Sequence, residues 1–355
     1  MANVVLYGFL DLQSVFAQRV TDDMIPVVNA AVDRSIAEHN RQMNALINLF
    51  VTRTTRFQER YTTPGNETLQ PGDENGRYLP TKGGGSYDVA YPLQFAGTAW
   101  GANRTARLKM TVEEVNNQLA AKMNADKRWV RNHILAALLA DATWTFTDKE
   151  HGALTIQPLA NGDGTLFSML SGSDAGADDS HLLGQAGAIA NDANPYPTIY
   201  DELMEHPENG GEVIAFIPNG LRATTEALTN FKEAIDPDIT PGLSSDRLTG
   251  SLGVPVPGVV LGKVDRVWVV EWKVLPASRI VAVTTDGERP VAMREQPEPE
   301  LQGFQRIGTR SDVPYSEDQY ERQAGFGIRN RVGAVVMEIG DASYDTPTGW
   351  ASPLI

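Results

Sequence analysis

The chain has 355 residues, of which 41% are hydrophobic and 8% aromatic, so it can bury large cores and is expected to form two or more domains. Its formal net charge of -15 argues against binding to nucleic acid or to an anionic membrane, because those surfaces require clustered lysine and arginine. The absence of cysteine excludes disulfides, thiolate nucleophiles and cysteine-ligated metals. The sequence has neither a basic, apolar start nor a run of about 18 apolar residues, so we expect neither secretion nor membrane insertion.

The N-terminal segment, residues 1–52, is predicted to form an arm followed by an amphipathic helix. Polar residues 21–23 can cap this helix, and apolar residues recur at helical spacing as far as about Phe50. Such a helix needs a partner surface, either on its own chain or on a neighbour. Residues 1–20 carry apolar side chains typical of a contact surface, so we expect the arm to dock on another subunit.

Residues 53–108 are rich in Thr, Gly, Pro and Tyr and are predicted to form a long two-stranded ribbon. Its ascending part is 53–64 and its descending part is 86–101. An isolated ribbon is only marginally stable in water, so we expect a neighbouring subunit to support it. The triplet Gly83, Gly84 and Gly85 lacks the Lys-Ser/Thr ending of a phosphate-binding loop, and no helix follows it directly.

The next segment, residues 109–145, is dominated by one long predicted helix over 111–141. Thr111 and Glu114 form a capping box, and the helix contains neither Gly nor Pro. Apolar residues recur at three- and four-residue steps, and the last turns become apolar all round. At about 1.5 Å per residue the helix is about 45 Å long, although an ordinary core helix could also have this length.

Residues 146–288 are predicted to form a mixed domain of short strands and helices. One unit in it is a buried strand over 213–217, followed by a Pro-Asn-Gly turn and a helix over about 221–231. This strand-turn-helix unit lacks the nucleophile motif of a hydrolase.

Two groups of polar residues in this domain have side chains that can ligate metals. Asn161, Asp163 and Thr165 imitate the start of a calcium loop, but the glycine and the glutamate that such a loop requires are missing. Asp178, Asp179 and His181 could ligate a metal, although a solvated polar loop explains them equally well. We therefore expect neither a metal site nor a cofactor.

No motif in the sequence predicts catalysis. The five histidines do not show the spacing of an HExxH metal site, and no G-x-S-x-G sequence is present. His133 lies on the long helix, where a packing role is the simplest interpretation. We therefore expect that the protein is not an enzyme.

The C-terminal third, residues 289–340, is predicted to form long antiparallel strands. Period-two alternation extends over 319–339, with Gly325 and Gly327 marking a bulge or a close approach of two backbones. A long sheet against a long helix gives an elongated two-layer body. The tail, 341–355, is expected to be a surface strap or disordered.

The order of these segments resembles the tailed-bacteriophage major capsid protein of the Hong Kong 97 type. The sequences AFIPNGLR, RPVAMREQPEPE and AGFGIRNRVGAVV are also similar to segments of such proteins. The resemblance implies an α+β fold with an N-terminal arm and helix at 1–52 and an extended E-loop at 53–108. It also implies a peripheral domain made of the spine helix at 109–145 and the strands at 289–340, an axial domain at 146–288, and a C-terminal tail.

The function that this resemblance implies is physical. Copies would assemble into hexamers and pentamers that form an icosahedral head shell around double-stranded DNA, without sequence-specific DNA binding. Assembly would occur in the host cytoplasm and the product would be the virion. Portal, scaffold and decoration proteins would be partners. Flexible Gly83, Gly84 and Gly85 would let the E-loop fit non-identical positions.

Some relatives crosslink an E-loop lysine to an asparagine of a neighbour, with a glutamate assisting. Lys82, Asn330 and Glu338 provide these residue types here. Two other interpretations of the chain remain open. One is an encapsulin-like shell that encloses cargo enzymes, and the other is a soluble enzyme with an unrecognised carboxylate site.

Overall fold

The computed structural model describes residues 12, 15–20, 24–62, 69, 71, 74–78, 86–170, 179–234, 256–312 and 315–350. The helices of these residues, in chain order, are α1 (Ile25–Ile47), α2 (Arg104–Lys109), α3 (Val112–Leu139), α4 (Pro195–Met204) and α5 (Arg222–Glu226). The strands are β1 (Val51–Thr54), β2 (Gln58–Thr62), β3 (Ser86–Ala90), β4 (Leu93–Asn103), β5 (Trp144–Asp148), β6 (Gly152–Ile156), β7 (Leu182–Gln185), β8 (Asn209–Ile217), β9 (Phe231–Glu233), β10 (Val259–Val264), β11 (Val267–Glu271), β12 (Arg279–Gly287), β13 (Val291–Arg294), β14 (Phe304–Asp312), β15 (Tyr315–Ile328) and β16 (Ala334–Ile339).

The predicted long helix is confirmed as α3, which has 28 residues. Its capping box is present: the Glu114 amide donates to the Thr111 hydroxyl at 3.2 Å, and the Thr111 amide donates to the Glu114 carboxylate at 2.9 Å. The helix ends two residues earlier than predicted, because Ala140 adopts an extended backbone with ψ 134°. Its last turn is buried on all sides, as its composition predicted.

The long-strand sheet contains β1, β13, β15, β14 and β4. The 14-residue strand β15 runs antiparallel to β14, β13 and β4. Tyr320 and Phe326 on β15 are buried towards the helices, Tyr320 with residues of α1 and α3 and Phe326 against Trp129 of α3. The predicted two-layer body of a long helix on a long sheet is therefore confirmed.

The alternation predicted over 319–339 is divided between two strands of different sheets. Strand β15 stops at Ile328, and β16 instead pairs with β12 and β7 in a second sheet. Asn330 turns the chain between them, because its side chain accepts from the Val332 amide and donates to the Glu288 carbonyl. Strand β16 is buried on both faces, which suits the interior of a sheet covered on two sides.

The predicted ribbon is shorter than expected. Residues 58–62 pair with 86–90 as β2 and β3, but residues 53–54 and 93–101 belong to strands of the long-strand sheet. Strand β1 pairs with β13, and the 11-residue β4 pairs with β15 along its full length. The reason is that β15 has a second hydrogen-bonding edge, and β4 satisfies the backbone groups along it.

The central sheet has seven strands in the order β7-β16-β12-β8-β11-β10-β9, with α4 packed against it. Strand β8 contains the predicted buried strand 213–217. The helix predicted over 221–231 is confined to α5, and the chain then returns as β9 beside β10. A Cβ at Gly262 would lie 2.0 Å from the Lys232 carbonyl oxygen, so the glycine permits this close pairing.

The N-terminal helix packs on its own chain. Val32 and Ile36 of α1 share a buried cluster with Leu119 and Met123 of α3 and with Phe304 of β14. The predicted capping residues 21–23 lie outside the described residues, and Met24, which precedes α1, makes no side-chain cap.

The described part of the arm makes hydrogen bonds to its own chain, and its docking on another subunit stays a prediction. The carbonyls of Gln18 and Phe16 accept from the Val112 and Glu113 amides at 3.0 and 3.2 Å. These amides belong to the first turn of α3, where no intrahelical acceptor exists, so the arm completes the start of the helix.

The tail forms hydrogen bonds with the C-terminal end of α3, as the arm does with its N-terminal end. The hydroxyls of Tyr344 and Thr346 donate to the Leu139 carbonyl at 2.7 and 3.3 Å, so residues 341–350 form the expected surface strap. Residues 351–355 lie outside the described part of the chain. None of the described helices is long and apolar enough to cross a membrane.

Candidate assembly surfaces

The ribbon is fastened to the turn between β15 and β16 by five side chains, which we call the ribbon root: Glu59, Tyr61, Tyr87, Glu288 and Arg329. Arg329 donates to Glu59 at 3.1 Å, and Tyr61 donates to Glu288 at 2.8 Å. The Tyr87 hydroxyl donates to the Arg329 carbonyl at 3.0 Å, and the rings of Tyr61 and Tyr87 stack with centroids 5.2 Å apart. The ribbon therefore leaves the body in a direction set by its own chain.

The electrostatics of the ribbon root keep its arginine charged. Burial alone would lower the pKa of Arg329, but the carboxylates of Glu288 and Glu59 raise it above its ordinary value. Burial and the hydrogen bond to Glu288 raise the pKa of the Tyr61 hydroxyl, so it stays a proton donor. The charged contacts persist at any pH at which the two glutamates are ionised.

Two glycines fix the corner where the ribbon meets the sheet. A Cβ on Gly325 would lie 2.5 Å from the Pro92 carbonyl oxygen, and a Cβ on Gly327 would lie 2.5 Å from that of Ala90. Both distances are too short for any side chain. The predicted close approach at these positions is confirmed, and the backbone it admits is that of the β3–β4 corner.

The strands that flank β15 carry large apolar side chains that point to solvent. Phe95 of β4 is 55% exposed and Ile307 of β14 is 57% exposed. The ammonium group of Lys149 lies 5.6 Å from the Phe95 ring. Single exposed apolar residues are common, so these two are candidate contact residues for assembly rather than a defined apolar patch.

The residues expected to crosslink lie in different surroundings. Lys82, Gly83, Gly84 and Gly85 lie outside the described residues. Asn330 is fully buried, and its carboxamide donates to the Glu288 carbonyl and accepts from the Val332 amide. The Glu338 carboxylate lies 2.6 Å from Arg279 and accepts from the Asp345 amide at 3.0 Å. A crosslink through Asn330 would have to expose that turn, and the crosslink stays a prediction.

The residues that imitate a calcium loop surround an arginine. Arg331 is fully buried, and its guanidinium donates to Asn161 at 2.9 Å, Asp163 at 2.8 Å and Thr165 at 3.1 Å. Burial alone would raise the pKa of Asp163, but hydrogen bonds from Thr165 and the charge of Arg331 lower it below its ordinary value. The oxygen-rich loop thus holds a cation supplied by its own chain.

Within the described part of the chain, His133, His181 and His206 each contact other side chains. His133 packs against Trp129 and Phe326 and bonds the Gln94 side chain, so the predicted packing role is confirmed. Asp178 lies outside the described residues. His181 is fully buried rather than solvated, and His206, which the sequence pattern did not connect with it, lies beside it.

This architecture is the Hong Kong 97 capsid fold: an elongated spine helix on a long-strand sheet, a ribbon that projects from it, and a separate central sheet. The solved structure of Mycobacterium phage Patience shares it with a TM-score of 0.65 and 23% sequence identity, covering 94% of this chain and 94% of that chain. The structure of the bacteriophage PhiM1 mature capsid matches with a TM-score of 0.50 and 10% identity over 83% of this chain and 87% of that one. No protein-family model matches the sequence, and no curated protein is similar to it.

Proposed function

We propose that the chain is the major capsid protein of a tailed bacteriophage, and that it self-assembles into hexamers and pentamers that form the icosahedral head shell around double-stranded DNA. The observation that carries this proposal is the match over 94% of both chains, which includes spine helix, long-strand sheet and central sheet. The second similar structure is that of a mature bacteriophage capsid, which supports the same function.

The assembly rests on contacts between different surfaces of neighbouring copies. Such heterologous contacts close into rings when the rotation between copies closes. The ribbon root sets the direction in which the ribbon reaches a neighbour, and the exposed Phe95 and Ile307 offer apolar area on the sheet. The role is mechanical, and we propose no catalytic activity.

The charge of the chain suits a container for DNA. With a net charge of -15, the shell has no overall attraction for the phosphate backbone, so it encloses the genome without sequence-specific binding. We expect isolated capsomers to bind DNA more weakly than micromolar at physiological salt, measured by fluorescence anisotropy. The protein assembles in the host cytoplasm and resides in the virion, and its partners are portal, scaffold and decoration proteins.

Electron microscopy of the expressed full-length chain tests the proposal. Polyhedral shells or five- and six-fold rings are the expected result. Compact monomers under all assembly conditions would overturn it and would favour the soluble enzyme. Shells whose gene neighbours encode a cargo enzyme rather than portal and terminase proteins would favour the encapsulin-like alternative.

Covalent linkage of neighbours through Lys82, Asn330 and Glu338 is a separate proposal. Denaturing gels of mature particles would show a ladder of covalent oligomers. A single band at the 38.6 kDa of the chain would remove the idea without affecting shell formation.

A further inference from the structure

Two fully buried histidines meet in the central domain. His181 lies just before β7, and His206 lies just after α4. Their Nε2 atoms are 3.0 Å apart. Neither histidine takes part in the assembly surfaces described above.

The hydrogen bonds define the protonation of both rings. His181 Nδ1 donates to the Ala334 carbonyl at 2.9 Å, and His206 Nδ1 donates to the Ser168 carbonyl at 2.8 Å. A carbonyl oxygen only accepts, so each Nδ1 carries a proton, and in a neutral ring Nε2 then presents a lone pair. When both rings are neutral, two lone pairs therefore face each other across 3.0 Å unless a cation lies between them.

The carboxylate of Asp179 lies close to both Nε2 atoms. Asp179 Oδ2 lies 3.6 Å from His206 Nε2, and its Oδ1 lies 3.9 Å from His181 Nε2. The Asp179 side chain is 6% exposed, and its buried Oδ2 has no hydrogen-bond partner. Leaving a buried acceptor unpaired costs about 1–3 kcal/mol, so this oxygen indicates a missing positive partner.

Further acidic groups surround this point. Glu205 Oε1 lies 3.6 Å from His206 Nε2, and the carboxylates of Glu202 and Glu205 lie within 4.8 Å of Asp179. The nearby Arg331 is hydrogen-bonded to the loop at residues 158–165.

We propose that Asp179, His181 and His206 bind one divalent transition-metal ion, with Glu205 as the fourth ligand. Zinc bound to two histidines at 2.0–2.1 Å in a tetrahedral site separates their nitrogens by about 3.3 Å, so the two Nε2 atoms need to separate by only a few tenths of an ångström. Glu205 lies within 4.8 Å of Asp179 but not of His181, so its side chain has to move further to become a ligand. The Ala334 and Ser168 carbonyls orient the two rings, as the outer partners of metal-bound histidines do. Two imidazoles and two carboxylates suit zinc and its neighbours better than magnesium or calcium.

The ion would join parts of the central domain that are distant in sequence. Asp179 and His181 precede β7, His206 and Glu205 end α4, and the ring of His181 reaches the start of β16. Because the bound ion stabilises only the folded state, thermal stability rises with metal concentration. This role is independent of shell formation and concerns the stability of each subunit.

Zinc binding to the full-length, tag-free chain tests the proposal. The protein is stripped with chelator and dialysed against zinc, and bound metal is measured by plasma mass spectrometry together with the thermal unfolding midpoint. We expect one zinc ion per chain and a higher midpoint, whereas magnesium or calcium at the same concentration has no effect. Asp179→Asn keeps the shape of the side chain and should weaken zinc binding at least about ten-fold.

The matched control is Asp192→Asn, an exposed aspartate outside the cluster, which should bind zinc like the wild type. His206→Gln should also lose binding. If both site variants fail to fold, the visible absorption of the cobalt-substituted wild type decides, because a tetrahedral site with histidine ligands gives intense bands. Absence of stoichiometric zinc in the wild type, or unchanged binding by a folded Asp179→Asn, would overturn the proposal and leave a proton shared by the two rings.

Discussion

One buried carboxylate joins the three main parts of the peripheral layer. Asp126 of α3 accepts from Arg322 of β15, with Nη2 at 2.8 Å, and lies 2.8 Å from His39 Nε2 of α1. The side chains of Asp126 and Arg322 are only 2% and 4% exposed. Replacing Asp126 with Asn keeps the shape but leaves the guanidinium buried without its counter-charge.

The expected destabilisation is large. Removing one partner of a buried ion pair costs about 3–5 kcal/mol. With a urea dependence of about 3 kcal/mol per molar, the unfolding midpoint of Asp126→Asn should fall by about 1 M or more. Equilibrium unfolding in urea, followed by circular dichroism at neutral pH, measures this shift.

The control is Asp33→Asn, which removes a carboxylate from a pair between α1 and β14. Asp33 lies 3.1 Å from Arg306 but is 58% exposed, so water screens the pair and its loss should cost less than about 1 kcal/mol. Equal effects of the two substitutions, or a loss below about 1 kcal/mol for Asp126→Asn, would refute the reasoning.

The contribution of the Asp126–Arg322 pair to stability should also depend on pH. Burial alone would raise the pKa of Asp126, but His39 and Arg322 lower it below its ordinary value of 3.8. A carboxyl group with a lower pKa in the folded state stabilises the fold fully at any pH above its pKa in the unfolded state. This stabilisation is lost as the pH falls through its pKa in the folded state. The difference in unfolding free energy between wild type and Asp126→Asn should therefore stay constant above about pH 5 and narrow in stronger acid.

Three further substitutions test the ribbon and its surroundings. Arg329→Gln removes the charged contact of the ribbon root, so the amides of β2 and β3 should exchange at least about ten-fold faster in hydrogen-exchange mass spectrometry. The control Arg60→Gln breaks an exposed pair and should change these exchange rates little. Unchanged exchange would show that Arg329 does not hold the ribbon. Arg331→Lys loses the planar donors that bind the loop at 158–165 and should lower the unfolding free energy by about 3 kcal/mol in urea. Gly325→Ala would place a methyl group against a carbonyl oxygen and should cost about 1–3 kcal/mol, whereas Gly308→Ala meets nothing within 4 Å and should be tolerated; equal thermal midpoints for the two would contradict this account.

Sequence reasoning succeeded where the signal is local. The long helix was predicted within two residues because its capping box, its apolar spacing and its lack of Gly and Pro lie within the segment itself. The glycines at 325 and 327 were correctly associated with a close approach. The strand over 213–217 was found from its continuous apolar composition.

Prediction from the sequence failed where the pairing of strands depends on residues that are distant in sequence. The alternation over 319–339 continues smoothly through Ile328, but whether the chain turns there depends on Asn330 bonding Glu288, which is 42 residues away in sequence. The ribbon was predicted too long because β4 has the composition of a ribbon strand, and only the free edge of β15 decides its place.

In the candidate sites, too, the sequence predicted the neighbouring residues, and only the fold supplied their distant partners. Asn161, Asp163 and Thr165 were identified as a group of oxygen ligands, but their cation, Arg331, is supplied from the far end of the chain. The sequence places Asp179 and His181 together as possible metal ligands, whereas only the packing of α4 beside β7 brings His206 next to them.

By itself, the sequence determined that this protein has a long spine helix between a glycine-rich ribbon and a C-terminal region of long strands, because capping, periodicity and turn chemistry act over three or four residues. Only the tertiary structure decided which strands share a sheet, that the arm and tail close the two ends of α3, and which buried polar groups meet. Those choices depend on contacts between residues tens to hundreds of positions apart, and the energy of a hydrogen bond or an ion pair at such a contact depends on the burial that the completed fold provides.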